Sequence, residues 1–180
     1  MGVIHPLPTR PKRILLPARS IQSRVAELGR EIARDFRGEP VCLVGVLTGA
    51  VVFLSDLIRH IDTPVEIDFV AASSYGEATH SSGEVRIIKD VSHALRDKHV
   101  LIVEDIIDTG LTLRYLMETF SARQPASLDC CVLLDKPARR VAEVPVKYRG
   151  FEIEDCFVVG YGLDYRGFYR NLPYISELDA

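Results

Sequence analysis

No stretch of this chain is long and apolar enough to span a bilayer as a helix. The opening residues Met1-Gly2-Val3-Ile4-His5-Pro6 lack the apolar centre of a secretory signal, and Pro6 stands where a myristoylation motif has Ser or Thr. Charge of one sign is scarce too. A net charge of −3 announces neither a nucleic-acid nor a membrane surface. The short basic cluster Arg10, Lys12 and Arg13, interrupted by Pro11, is expected to be a solvated N-terminal arm. Only four cysteines occur, Cys42, Cys130, Cys131 and Cys156, none in a C-x-x-C pair and each in an apolar, strand-like run. Buried free thiols in a reducing cytoplasm are therefore expected, rather than disulfides or a zinc site. Internal repeats and low-complexity linkers are also missing. What is there is 180 residues, 47% hydrophobic and 26% charged, which fits one domain with a substantial core.

The apolar pattern alternates between strand and helix. Ser20 can cap a helix with the stripe Ile21, Val25, Leu28, Ile32 and Phe36, stopped by Gly38. Residues 41–46 form a continuous apolar strand, followed by the turn Leu47-Thr48-Gly49 and a helix to about Arg59. Residues 64–71 alternate, Val65, Ile67 and Phe69 against Glu66 and Asp68, and read as a strand. Residues 72–83 are polar and read as a long loop, with a returning strand at 84–89. Two more buried strands, 100–103 and 128–134, flank a helix after Thr112. This order predicts an α/β fold, a mostly parallel twisted sheet with helices on both faces. Ligands of such sheets sit outside the carboxyl ends of the strands, where the loops at 47–49, 104–112 and 135–137 can converge. The last fifty residues, rich in loops and aromatics, look like a small appended lobe.

Residues 100–112, Val-Leu-Ile-Val-Glu-Asp-Ile-Ile-Asp-Thr-Gly-Leu-Thr, carry the strongest signal. A buried strand leads into two carboxylates, then Asp108, then the small turn Thr109-Gly110-Leu111-Thr112, then a helical stripe of Leu113, Leu116, Met117 and Phe120. Backbone N–H groups at a helix N-terminus donate to phosphate oxygens, and paired carboxylates accept hydroxyl hydrogens or hold Mg²⁺. The string therefore suits a ligand with both a sugar diol and a phosphate. Acids at strand ends and Asp or Thr before a helix also occur as ordinary caps, so specificity lies in the whole string.

Two further segments stand out. Lys136, in Leu133-Leu134-Asp135-Lys136-Pro137, follows a buried strand, and its ammonium suits a carbonyl oxygen. From its position alone, a surface lysine in a turn is the favoured reading. Phe157-Val158-Val159-Gly160-Tyr161-Gly162-Leu163-Asp164-Tyr165 offers an aromatic ring beside an exposed backbone edge, which suits a flat heterocycle. A core strand with Phe157 packed inside is the alternative.

With EDIIDTG, LDKP and FVVGYGLDY in this order and spacing, the chain resembles the hypoxanthine–guanine phosphoribosyltransferases of the type I phosphoribosyltransferase family, from about Val41 to Ile175. The resemblance implies that family's fold, with a core at about 38–150 and a hood from about 1–20 and 151–180. It implies Mg²⁺-dependent transfer of 5-phosphoribosyl from phosphoribosyl pyrophosphate (PRPP) to N9 of hypoxanthine or guanine, giving IMP or GMP. Glu104 and Asp105 would hold the ribose hydroxyls and, through them, Mg²⁺. Thr109, Gly110, Leu111 and Thr112 would cradle the 5′-phosphate, and Asp108 would act as acid or base at purine N7. Lys136 would donate to the exocyclic O6, Phe157 would stack on the base, and the Val158 backbone would read its edge. Asp164 would help to hold a second Mg²⁺, and Arg170 would meet pyrophosphate. Ser73, Ser74, Tyr75 and Gly76 would belong to a mobile lid. Leu47, Thr48 and Gly49 match the pyrophosphate loop, often with a cis peptide, although relatives usually carry Lys or Arg where this chain has Thr48. The implied enzyme is a cytoplasmic homodimer or homotetramer without nucleic-acid or membrane partners. Two other readings remain: a xanthine-preferring transferase, and a non-catalytic nucleotide-binding regulator of the same fold.

Overall fold

A computed structural model describes residues 11–74 and 85–178. The main sheet has six strands in the order β4-β3-β2-β5-β6-β7. These are β2 (Val41–Leu47), β3 (Val65–Ser74), β4 (Val85–Lys89), β5 (His99–Ile107), β6 (Ser127–Asp135) and β7 (Tyr148–Glu152). All neighbours pair in parallel except β3 and β4, which are antiparallel. A second, antiparallel sheet joins β1 (Arg13–Leu16), β9 (Ile175–Glu177) and β8 (Val158–Val159).

Continuous apolar runs in β2, β5 and β6 follow from burial on both faces. Along β2, Val41 and Leu43 face one core while Cys42, Val44 and Val46 face the other. Leu101, Val103, Cys131 and Leu133 join the first core, and Val100, Ile102, Cys130 and Val132 the second. Helices α1 (Ala18–Phe36) and α2 (Ala50–Leu57) cover the first face, and α3 (Leu111–Ser121) covers the second with Leu113, Leu116 and Phe120. The α1 stripe Ile21, Val25, Leu28, Ile32 and Phe36 is buried as its spacing requires. Gly29 lies on the same buried side, where a Cβ would run into His60.

Several local expectations are corrected. Ser20 sits inside α1; the cap is Pro17, whose carbonyl accepts the N–H groups of Ser20 and Ile21. Arg13 is no solvated arm, because β1 pairs with β9 and the Arg13 guanidinium lies 3.3 Å from Glu177. The strand at 64–71 continues to Ser74, pairing Ser73 with Arg86 and Ser74 with Val85. Ser73 and Ser74 thus belong to a strand rather than to a loop, while Tyr75 and Gly76 of the expected lid lie outside the described residues. Within β3 the alternation is also not simple. Ile67 is exposed and Asp68 buried, since its carboxylate accepts the N–H groups of Phe69, Ser92 and His93 at 2.7, 2.7 and 3.1 Å. Cys42, Cys130 and Cys131 are buried in strands, but Cys156 is half-buried in the loop between β7 and β8.

Candidate functional site

The chain leaves β2 toward β3 on one side and, after β4, crosses back to β5 on the other. The switch point in strand order therefore lies between β2 and β5, where an open α/β sheet has its ligand crevice. The turn Leu47-Thr48-Gly49 leaves β2 there with a cis Leu47–Thr48 peptide. Beside it β5 does not stop at Val103. It carries Glu104 and Asp105 inside the strand, both buried, so the acids form part of the sheet rather than a solvated edge. Gly49 is required by this packing, because a Cβ there would strike the Asp105 carboxylate. On the other side, a Cβ on Gly162 would strike the Gly49 carbonyl. Three segments distant in sequence are thus in van der Waals contact at one point.

Burial pushes the Glu104 carboxyl well above its ordinary range, and the neighbouring Asp105 charge and hydrogen bond add to that. Burial also raises Asp105, opposed by the hydrogen bond from Glu104, the Ile106 amide at 3.0 Å and the charge of Arg170. Beyond them the chain enters the turn to α3. Gly110 has φ +83° and faces the Ala142 carbonyl. Leu111 and Thr112 already lie in the first turn of α3, two residues earlier than the pattern suggested. A cavity of about 150 Å³ is lined by residues 104–110, Thr112 and Leu113.

This turn is held from the end of β6 and from the segment 136–142 beyond it. The carbonyl of Thr109 accepts the N–H groups of Val141 and Ala142, both at 2.9 Å. Arg140 donates through Nε to the Asp108 carbonyl at 3.3 Å and through Nη2 to the Asp135 carboxylate. Asp135, 2% exposed, also holds Arg149 Nε at 2.8 Å. The Asp108 side chain has Arg139 Nε 3.2 Å from its Oδ1, without hydrogen-bond alignment. That buried oxygen has no hydrogen-bond partner among the described residues. Asp135, Arg139, Arg140 and Arg149 were not singled out from sequence. The adjacent Arg139-Arg140 pair after the proline was the one visible signal.

Lys136 is not the surface lysine its position suggested: it is 5% exposed, with Nζ 3.7 Å from Asp155. Its N–H donates to the Ile107 carbonyl at 3.0 Å, which ties it to the strand carrying the acids. Phe157 is not packed inside a core strand; it is 43% exposed, edge-on to Tyr165 with ring centroids 5.7 Å apart. Val158 opens the short strand β8 and is buried. Gly160, Tyr161 and Gly162 all have positive φ, and the Tyr161 hydroxyl donates to Asp56 of α2 at 2.6 Å. Asp164 is engaged by Arg170 Nη2 at 2.6 Å and by the Gly167 N–H at 2.7 Å, while Arg170 Nη1 donates to the Gly162 carbonyl at 2.5 Å.

Among the described residues no group of three or more His, Cys, Asp or Glu side chains is arranged to hold a metal ion. The Glu104–Asp105 pair and the separate Asp164 fit a hard cation only as Mg²⁺ is commonly held, by one or two carboxylates together with substrate oxygens and water.

A phosphoribosyl transferase domain model matches residues 14–166. The hypoxanthine-guanine phosphoribosyltransferase of Staphylococcus aureus is 50% identical over 167 residues, 93% of each chain. The enzyme of that name from Bacillus subtilis is also 50% identical over the same shares. A crystal structure of a hypoxanthine phosphoribosyltransferase from Staphylococcus aureus superposes with a TM-score of 0.90 at 50% identity, covering 94% of this chain and 92% of that one.

Proposed function

The chain belongs to the phosphoribosyl transferase domain family, among the hypoxanthine-guanine phosphoribosyltransferases of purine salvage, and from that membership we propose a specific reaction and residue roles. The reaction is displacement of pyrophosphate from C1 of PRPP by N9 of hypoxanthine or guanine, giving IMP or GMP. The observation that carries the reading is the meeting of Gly49, Asp105 and Gly162 at the switch point. It brings the 47–49 turn, the Glu104–Asp105 pair and the 157–165 segment next to one another, which supports the reading.

Breaking the glycosyl–oxygen bond builds oxocarbenium-like charge on the ribose, as in glycoside hydrolysis. Glu104 and Asp105 accept the ribose hydroxyls and face that charge from below. The amides and hydroxyls of residues 109–112 take the 5′-phosphate at the N-terminus of α3. Bound Mg²⁺ supplies charge neutralisation for the departing pyrophosphate. Asp108 holds the proton at N7, a role worth about 10²–10⁴-fold in rate. Lys136, buried and tied to Ile107, donates to O6. Phe157 keeps its exposed face for the base. Arg170, held against Asp164 and the Gly162 carbonyl, is the guanidinium that would meet pyrophosphate, and Asp164 would help to hold the cation. With Thr48 in place of a cation, the 47–49 turn can still meet pyrophosphate through its backbone amides.

A pyrophosphate-release assay with PRPP and Mg²⁺, run on hypoxanthine, guanine, xanthine, adenine and uracil, tests this. Turnover confined to hypoxanthine and guanine is expected. Fastest turnover on xanthine would shift the substrate assignment. PRPP binding without turnover on any base would make the chain a regulator.

A further inference from the structure

At the opposite end of the sheet lies a second cavity, of about 700 Å³. It opens where α1 ends and where the 3₁₀ turn Ile58–His60 leads into β3, at the amino ends of β2 and β3. The seven residues of β2 separate it from the 47–49 turn, about 20 Å at the usual rise per strand residue. Among the described residues Arg30, Arg34, Arg37, Arg59 and His60 line it, against one carboxylate, Asp62. Arg30 and Arg34 are four apart on one face of α1, and Arg37 caps its C-terminus. The guanidinium groups of Arg30 and Arg37 make no hydrogen bond or ion pair among the described residues.

Cations at helix C-termini offset the negative ends of the dipoles. That accounts for one cation after α1 and one after α2, not for four guanidinium groups around a single cavity. Thr63, in the wall, adds an independent observation: it is 7% exposed, and its buried hydroxyl has no partner among the described residues. A buried hydroxyl without a partner costs stability, so its presence calls for an explanation. Guanidinium forks match phosphate oxygens in geometry as well as in charge. Among the described residues the wall contains no Phe or Tyr, and His60 is its one aromatic ring, so cationic charge rather than stacking dominates it.

We infer that this cavity is a second anion site, separate from the catalytic crevice, which takes a polyphosphate through its phosphates alone. Helix α2 links the two, since it begins directly after Gly49 and ends at the turn carrying Arg59 and His60.

The test is calorimetric titration of the full chain with inorganic tripolyphosphate, which is also expected to enter the catalytic crevice. Two sites per chain are expected for the native protein. Arg30→Gln/Arg37→Asn should lose one of them, with affinity there falling about tenfold or more. Asn suits position 37 because Arg37 has φ +52°. The exposed pair Arg19→Gln/Arg96→Gln removes the same charge elsewhere and should keep both sites. Unchanged turnover reports that each variant is folded. One site in the native protein that survives Arg30→Gln/Arg37→Asn would overturn the inference. So would equal loss in both variants, which would mark a general charge effect.

Discussion

Replacing Asp135 by Asn removes one charge from a place no substrate is expected to reach. Asp135 is the buried centre of a cluster with Arg140, whose side chain is only 11% exposed, and Arg149, which is about half exposed. Removing one partner of a buried ion pair costs about 3–5 kcal/mol, because the other charge stays buried without compensation. The half-exposed Arg149 can turn to water, so the lower end applies, about 3 kcal/mol. In a domain of this size each kcal/mol shifts the melting temperature by about 2–4 °C, which places the loss at roughly 6–12 °C. A second effect should accompany it. Arg140 also holds the Asp108 carbonyl, so a displaced guanidinium loosens the turn assigned to the 5′-phosphate. Thermal unfolding should be measured alongside KM for PRPP, with Arg140→Met and the double variant closing a thermodynamic cycle. The double variant should be less damaged than the sum of the singles. A melting temperature within 2 °C of the native value for Asp135→Asn, or strict additivity in the cycle, would refute the view that this cluster braces the site.

Gly49→Ala should leave the fold intact yet cut kcat/KM for PRPP at least about 100-fold, since its methyl takes the place of the Asp105 carboxylate; comparison of circular dichroism with steady-state rates checks this. Lys136→Ala should raise KM for hypoxanthine and narrow its preference over adenine, and an unchanged preference ratio would remove Lys136 from O6 recognition. Asp68 gives a pH prediction. Burial pushes its carboxyl up, but the three backbone amides and Lys89 outweigh that and hold it below the ordinary carboxylate value. A depressed folded value contributes stability above the unfolded value, about 3.9. That contribution is lost as pH falls through the folded value. Asp68→Asn should therefore be less stable than the native chain at pH 7, with the gap closing in acid; a constant gap in urea midpoints across pH would contradict this.

Local chemistry wrote much of this protein openly into its sequence. The two-faced apolar runs of β2, β5 and β6 could only be buried strands, and the stripe on α1 could only pack inward. The thirteen residues from Val100 already named a strand, two carboxyls and a turn that begins a helix, because each signal sits within a few bonds of the next. Burial and contact between distant segments were not legible in this way. From its position alone Lys136 read as a surface residue until the sheet buried it with Nζ 3.7 Å from Asp155, and the alternative of a core-packed Phe157 closed only when β8 proved two residues long. Asp135 and Arg149 look like ordinary charged residues along the chain, and only the parallel pairing of β6 with β7 makes them neighbours. The glycines at 49 and 162 follow the same logic. A sequence shows that a side chain is missing, but only the tertiary structure shows that the Asp105 carboxylate and the Gly49 carbonyl fill the space it left.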